Sequence, residues 1–244
     1  MQSRSAFWIA MVVAVGALLA LWRVEATRAQ ERADAAKAQA TASAHDLSGV
    51  WYVHKFQPTM YPGGEPPLQP WAKIQAKANN PETNDPHLSC LPHGMPMFMY
   101  SRQPMEYFQI PGRIVVHVED DPVLREIYMD GRQHPKDPDP TYNGHSIGHW
   151  EGDTLVVDTI GLKPNTWADH NGLPHSDALH VMERIHRVNH DTLEDDFTID
   201  DPKAYTKIWT ATQTYDLKPD WEILENVCEE NNKYRERSPT APAR

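Results

Sequence analysis

The chain has 244 residues, 40% of them hydrophobic, a mean hydropathy of -0.64 and a formal net charge of -11. That apolar share is enough for one core-forming domain and thin for two. The acidic balance, with no run of Lys or Arg, argues against a nucleic-acid partner, because phosphate binding requires a basic patch.

Residues 6–22 are an unbroken apolar run after Arg4, followed by a polar, Ala-rich segment, which reads as a Sec-type export signal. Thr27-Arg28-Ala29 sets small residues where a signal peptidase reads, so cleavage before Gln30 is expected. The run also approaches the length of a short span, so an uncleaved anchor is the alternative and the only membrane contact expected. Either way, the remainder is expected in the periplasm or outside the cell. Loss of residues 1–29 removes Arg4, Arg23, Arg28 and Glu25 and takes the net charge from -11 to -13. Residues 30–45 read as an Ala-rich linker, 46–234 as a single domain and 235–244 as a disordered tail. In an exported chain the two cysteines, Cys90 and Cys228, are expected to form a disulfide, and no base beside either suggests a catalytic thiol.

The domain opens with a strand at residues 50–53 behind Gly49. Gly49-Val50-Trp51 resembles the Gly-x-Trp that begins the first strand of lipocalin-like barrels, where the Trp closes one barrel end. Between residues 57 and 103 prolines are dense and only 71–78 has helical character. A structureless connection that long is unusual in a compact domain. The expectation is an excursion that wraps the surface or plugs one end of the fold, pinned by Cys90, with Met95, Met97, Phe98, Met99 and Tyr100 packing.

Beyond it the chain becomes a succession of strands and tight turns. Residues 106–110 and 113–119 flank Pro111-Gly112, and 124–129 ends at Asp130-Gly131. Residues 146–150 and 154–160 flank Glu151-Gly152-Asp153. Residues 178–188 turn through Asn189-His190-Asp191 into 192–199, and 206–217 turn at Lys218-Pro219-Asp220 into 221–229. That makes roughly ten strands. Such a succession is expected to close into an antiparallel, lipocalin-like β-barrel, because closure removes exposed edges. A two-sheet sandwich is the alternative.

Strand parity assigns faces. Leu179, Val181, Glu183 and Ile185 form an interior row, which leaves Glu183 as an acid among aliphatics. Such a carboxylate must be paired, hydrogen-bonded or protonated. A structural pairing with Arg184 or Arg125 is one outcome and a functional acid the other. Glu225 repeats the pattern if 221–229 is a strand. Asp158 joins them only if Val156 points inward. His145 and His149 share a face but stand about 13 Å apart along a strand, too far for one metal. The loop at 163–177 brings Trp167, Asp169, His170 and His175. The spacing of His170, His175 and His180 matches no established ligand pattern, so neither a metal nor another cofactor is expected.

The stretches at 144–159 (GHSIGHWEGDTLVVDT), 174–187 (PHSDALHVMERIHR), 200–209 (DDPKAYTKIW) and 228–231 (CEEN), with Thr166-Trp167-Ala168-Asp169, resemble motifs of a broad set of exported bacterial β-rich proteins. The resemblance implies kinship and a shared site near His175, His180 and Glu183, and carries no activity with it.

The functional expectation is a barrel whose cavity binds a small, largely apolar or aromatic molecule, with acid–base chemistry as an extension. Glu183 is then the general acid or base. His180 or His175 is its partner, and Glu225 and Asp169 are secondary acids. His145, His149, Trp167 and His170 are ligand contacts. A non-catalytic carrier or interaction protein and a metal-dependent hydrolase are the rival readings. Oligomeric state is not legible.

Overall fold

The computed structural model describes residues 44–230 together with Arg28, Gln30 and Arg32. The export signal or anchor at 1–29, Arg28 apart, most of the linker and the tail at 235–244 fall outside the described residues. No helix among the described residues is long and apolar enough to cross a membrane. The chain divides into two compact units, 1–45 and 46–244.

Alternating apolar residues give each strand one face that must leave water, and closing the sheet on itself buries all of these faces together. Nine strands do so: β1 (Gly49–Val53), β2 (Met105–Ile110), β3 (Arg113–Val118), β4 (Arg125–Tyr128), β5 (His145–Glu151), β6 (Thr154–Ile160), β7 (His180–Asn189), β8 (Thr192–Asp200) and β9 (Trp209–Leu217). They pair in chain order, and β9 returns to pair antiparallel with β1, so the sheet is a closed barrel and not a sandwich.

Two details differ from the expected meander. β4 and β5 are parallel, with Ile127 opposite Ser146 and Tyr128 opposite Ile147, because residues 129–144 carry the chain back along the barrel before β5 begins. Residues 221–229 do not form a tenth strand: once β1 has paired with β9, no sheet edge remains to receive one. Trp221, Leu224 and Val227 are accordingly exposed.

The parallel pair also sorts the connections. Tight turns at 111–112, 152–153 and 190–191 occupy one end of the barrel. The long segments 54–104, 119–124, 161–179 and 201–208 all emerge at the other. The first of these carries helix α1 (Pro70–Ala78) and two 3-10 turns, Pro86–Ser89 and Met97–Tyr100. Met97, Phe98, Met99 and Tyr100 are buried in the core, where Tyr215 donates its hydroxyl to the Met99 carbonyl at 2.6 Å and Tyr100 donates to the Thr212 carbonyl at 3.2 Å. The Pro-rich excursion is thus a plug. Trp51 is fully buried, donates Nε1 to the Leu47 carbonyl at 2.9 Å and is covered by the Arg187 guanidinium, 4.9 Å from its ring.

Two glycines permit close approaches that any side chain would block. Gly94 (φ +74°) and Gly144 (φ +66°) would place a Cβ 2.9 Å from the Tyr142 carbonyl and 2.6 Å from the Ile160 carbonyl, respectively. The first lets the plug dock on the 129–144 crossing, where Met95 N donates to Tyr142 O at 3.0 Å. The second lets the crossing turn into β5.

Candidate functional site

Glu183 lies inside the barrel on β7, fully buried, and forms a two-pronged pair with Arg125 of β4. Arg125 Nη1 donates to Oε1 at 2.8 Å and Nη2 donates to Oε2. Nη2 also reaches Thr159 Oγ1 at 3.2 Å and Ser146 Oγ at 3.4 Å, and those two hydroxyls bond each other at 2.8 Å. Asp195 of β8 is equally buried and within hydrogen-bond reach of Glu183, yet neither of its oxygens meets a donor from a described residue. Burial first, and the Glu183 charge second, hold its pKa well above the usual carboxylate range. With Asp195 protonated it can donate to Glu183, and the trio then carries no net charge. That neutrality is what a low-dielectric interior tolerates.

The trio is closed off. Arg125, Glu183 and Asp195 have no solvent exposure, and the same core buries Trp51, Tyr107, Phe98, Phe197 and Tyr215. In this position the Arg125–Glu183 pair ties β4 to β7 inside the barrel. Glu225, the other expected interior acid, lies on the non-strand segment 221–229 and is exposed, so no Glu183–Glu225 pair exists.

His175 and Asp169 are also buried, and both hold loops. Asp169 accepts backbone N–H groups from Met60, Asn171 and Leu173, each at 3.0 Å. Burial raises its pKa although those N–H groups act against the rise. His175 Nδ1 donates to the Ser176 carbonyl at 3.1 Å and Nε2 accepts from Thr166 Oγ1 at 2.8 Å, and burial lowers its pKa, keeping it neutral. Ser176 N and Oγ each reach the Asp201 carboxylate at 2.6 Å, and Tyr205 donates to the Pro174 carbonyl at 2.9 Å. Trp167 is buried and bridges Pro174. The motifs at 166–169, 174–176 and 200–209 therefore meet as one joint between two loops.

His180, Asp158 and His145 lie on the outer face. Asp158 points away from the core. Its Oδ1 accepts from His180 Nε2 at 2.7 Å and His134 Nε2 at 3.2 Å, while His134 and His145 share a 2.8 Å Nδ1–Nδ1 contact. Burial, then His134, lowers the His145 pKa. His149 is exposed and pairs with Glu151 at 3.2 Å. His180 and Glu183 thus face opposite ways, as their parity requires, and do not act together.

Of the expected site residues, His170 alone lines a cavity together with other imidazoles. This cavity, of about 520 Å³, opens at the plugged end and is walled by Phe56, His87, His93, Arg102, Asp120 and His170, with Pro58, Pro81, Asp85 and Leu88 around them. His87 and His93 stack at 3.7 Å, His93 meets His170 edge-on at 5.9 Å, and His170 meets Phe56 at 5.1 Å. The Arg102 guanidinium sits 5.7 Å from the Phe56 ring.

Electrostatics differentiate the three imidazoles. Burial, then the neighbouring His93, pushes His170 down to about 4. The same two causes lower His87. Burial also acts to lower His93, but Asp121, Asp120 and Asp85 outweigh it and raise the pKa. Asp121, whose Oδ2 lies 3.5 Å from His93 Nδ1, is the largest of these opposing influences. The disulfide Cys90–Cys228, spanning 138 residues with its Cα atoms 5.7 Å apart, brings residues 226 and 228 to the cavity rim.

Fold and site together define a plugged β-barrel with a histidine-walled cavity outside its core. No known family model matches the chain, and no curated protein matches it. Among solved structures it is similar to a secretary abundant heat soluble (SAHS) protein from Ramazzottius varieornatus, at 11% identity over 70% of this chain and 95% of that one, with a TM-score of 0.35. That likeness is too distant to carry function.

Proposed function

We propose that this protein is an exported binding protein that holds a small planar or aromatic molecule in the cavity between the plug and the barrel mouth. The observation that carries the reading is the wall itself: one phenyl and three imidazole rings linked in a chain of contacts, Phe56 to His170 to His93 to His87, around about 520 Å³, a volume within the range of small-molecule sites. Stacked and edge-on rings favour a flat ligand. Arg102 and Asp120 at the same wall supply charges of both signs for polar groups on its rim.

Export is supported by the apolar run at 6–22 and by the disulfide, which persists in oxidising compartments. Acid–base catalysis by Glu183 loses support, because that carboxylate is sealed from the cavity and neutralised by Arg125.

The fluorescent aromatic anion 1-anilinonaphthalene-8-sulfonate tests the reading. It is expected to bind the native protein saturably and to lose affinity in Phe56→Ala and Arg102→Ala. Trp221→Ala, in the separate cleft with Tyr52 and Leu224, is the control. Equal binding by all variants, or loss only in Trp221→Ala, overturns the mouth cavity as the site.

A further inference from the structure

We infer that His87, His93 and Asp120 form a binding site for one divalent transition-metal ion of the zinc type, set in the wall of the mouth cavity. The inference shares that cavity with the proposed function and adds a ligand class to it. One donor atom from each of the three residues lies within 4.8 Å of the other two. Tetrahedral zinc holds nitrogen and oxygen donors about 3.4 Å apart, so binding draws the donors inward and tilts the two stacked rings until their in-plane lone pairs converge on the ion.

The tautomer of His87 is set for ligation. Its Nδ1 lies 3.0 Å from the Leu91 carbonyl, which can only accept, so Nδ1 carries the proton and the neutral ring keeps its lone pair on Nε2. That nitrogen stands 3.9 Å from Asp120 Oδ2. A ring nitrogen tied to a backbone carbonyl while the other binds metal is the usual supporting arrangement around a metal-bound histidine. Ser101 Oγ lies 3.4 Å from the other Asp120 oxygen and orients the carboxylate.

A second observation also calls for a ligand. The His93 side chain is 4% exposed, yet its Nδ1 has no hydrogen-bond partner among the described residues. Its nearest polar neighbour, Asp121 Oδ2, is 3.5 Å away, and a buried imidazole nitrogen with no hydrogen bond closer than that is under-satisfied; rotation or tilt of the ring toward an ion would relieve the cost. Its loop is fixed from both sides, by His93 N donating to Asp121 Oδ2 at 2.9 Å and by the close approach at Gly94.

Two imidazoles and one carboxylate suit a borderline cation such as Zn²⁺ and not Ca²⁺ or Mg²⁺, which take oxygen sets. Thiolate ligands are unavailable because both cysteines are in the disulfide. Three protein donors beside an open cavity leave a coordination position for water or for a donor atom of the organic ligand. A second trio with comparable spacing, His186, Glu194 and Asp196, has no buried member and provides an internal comparison.

The test is calorimetric titration of Zn²⁺ into chelator-stripped, disulfide-intact protein. One equivalent is expected to bind, with affinity lowered at least tenfold in His87→Ala and in Asp120→Asn and unchanged in His186→Ala. Thermal melts check folding, and His87→Asn serves if His87→Ala melts early. No saturable uptake, unchanged affinity in the cavity variants, or loss confined to His186→Ala overturns the site. Zinc uptake without dye binding sinks the organic-ligand reading alone; dye binding without zinc uptake sinks the metal site alone.

Discussion

Arg125 and Glu183, 58 residues apart in sequence, meet inside the barrel through two guanidinium–carboxylate hydrogen bonds with no solvent exposure on either side chain. Removing one partner strands the other charge in the core. Arg125→Met is therefore expected to lower unfolding free energy by about 3–5 kcal/mol, read by urea denaturation. The double variant Arg125→Met/Glu183→Leu should recover much of that loss, because no buried charge remains.

Asp195 sets a pH dependence whose sign can be worked out. Its folded pKa lies well above its unfolded value, so at intermediate pH the folded protein holds a proton that the unfolded chain has released. Its contribution is complete below the unfolded pKa of about 3.9 and is lost as pH rises toward the folded value. Asp195→Asn keeps the hydrogen-bonding shape without the ionisation. Its stability should fall less steeply than wild type as pH rises above about 4 in parallel thermal melts; identical slopes would contradict a protonated Asp195.

Asp201 joins two loops by accepting from Ser176 N and Oγ and from the backbone of Lys203 and Ala204. Asp201→Ala leaves those donors unsatisfied and should cost about 2–4 kcal/mol. Hydrogen exchange should show faster opening of 174–178 and 201–206, with the β2–β3 hairpin unaffected.

The disulfide closes a loop of 138 residues, for which the chain-entropy model gives about 5 kcal/mol as an upper figure. Cys90→Ser/Cys228→Ser should unfold at lower denaturant concentration and show faster proteolysis in 221–230, the segment tethered by the bond.

Much of the barrel was legible because period-2 rows and turn pairs are local signals. Parity put Glu183 inside, and Arg125 was among its named partners. The same parity applied to 192–199 puts Asp195 in the row Leu193, Phe197 and Ile199, so that acid was readable and was missed. The parallel β4–β5 pair was not, since a crossing segment and a meander loop look alike in sequence. Glu225 misled because alternation in 221–229 resembles a strand even where closure leaves no edge to join. The cavity was illegible for a different reason: its walls come from residues 56–58, 81–93, 102–103, 120, 170–171 and 226–228, which only the plug and the disulfide bring together. His87 and His93, flanking Cys90, were the available hint.

The most direct measurement of the central claim is native mass spectrometry of the protein purified from its native cells, wild type beside Phe56→Ala and His170→Ala. The expected result is a wild-type mass exceeding the chain by one small organic molecule that both variants have lost. A wild type at the bare chain mass, or an adduct retained equally by both variants, would contradict the mouth cavity as a ligand site.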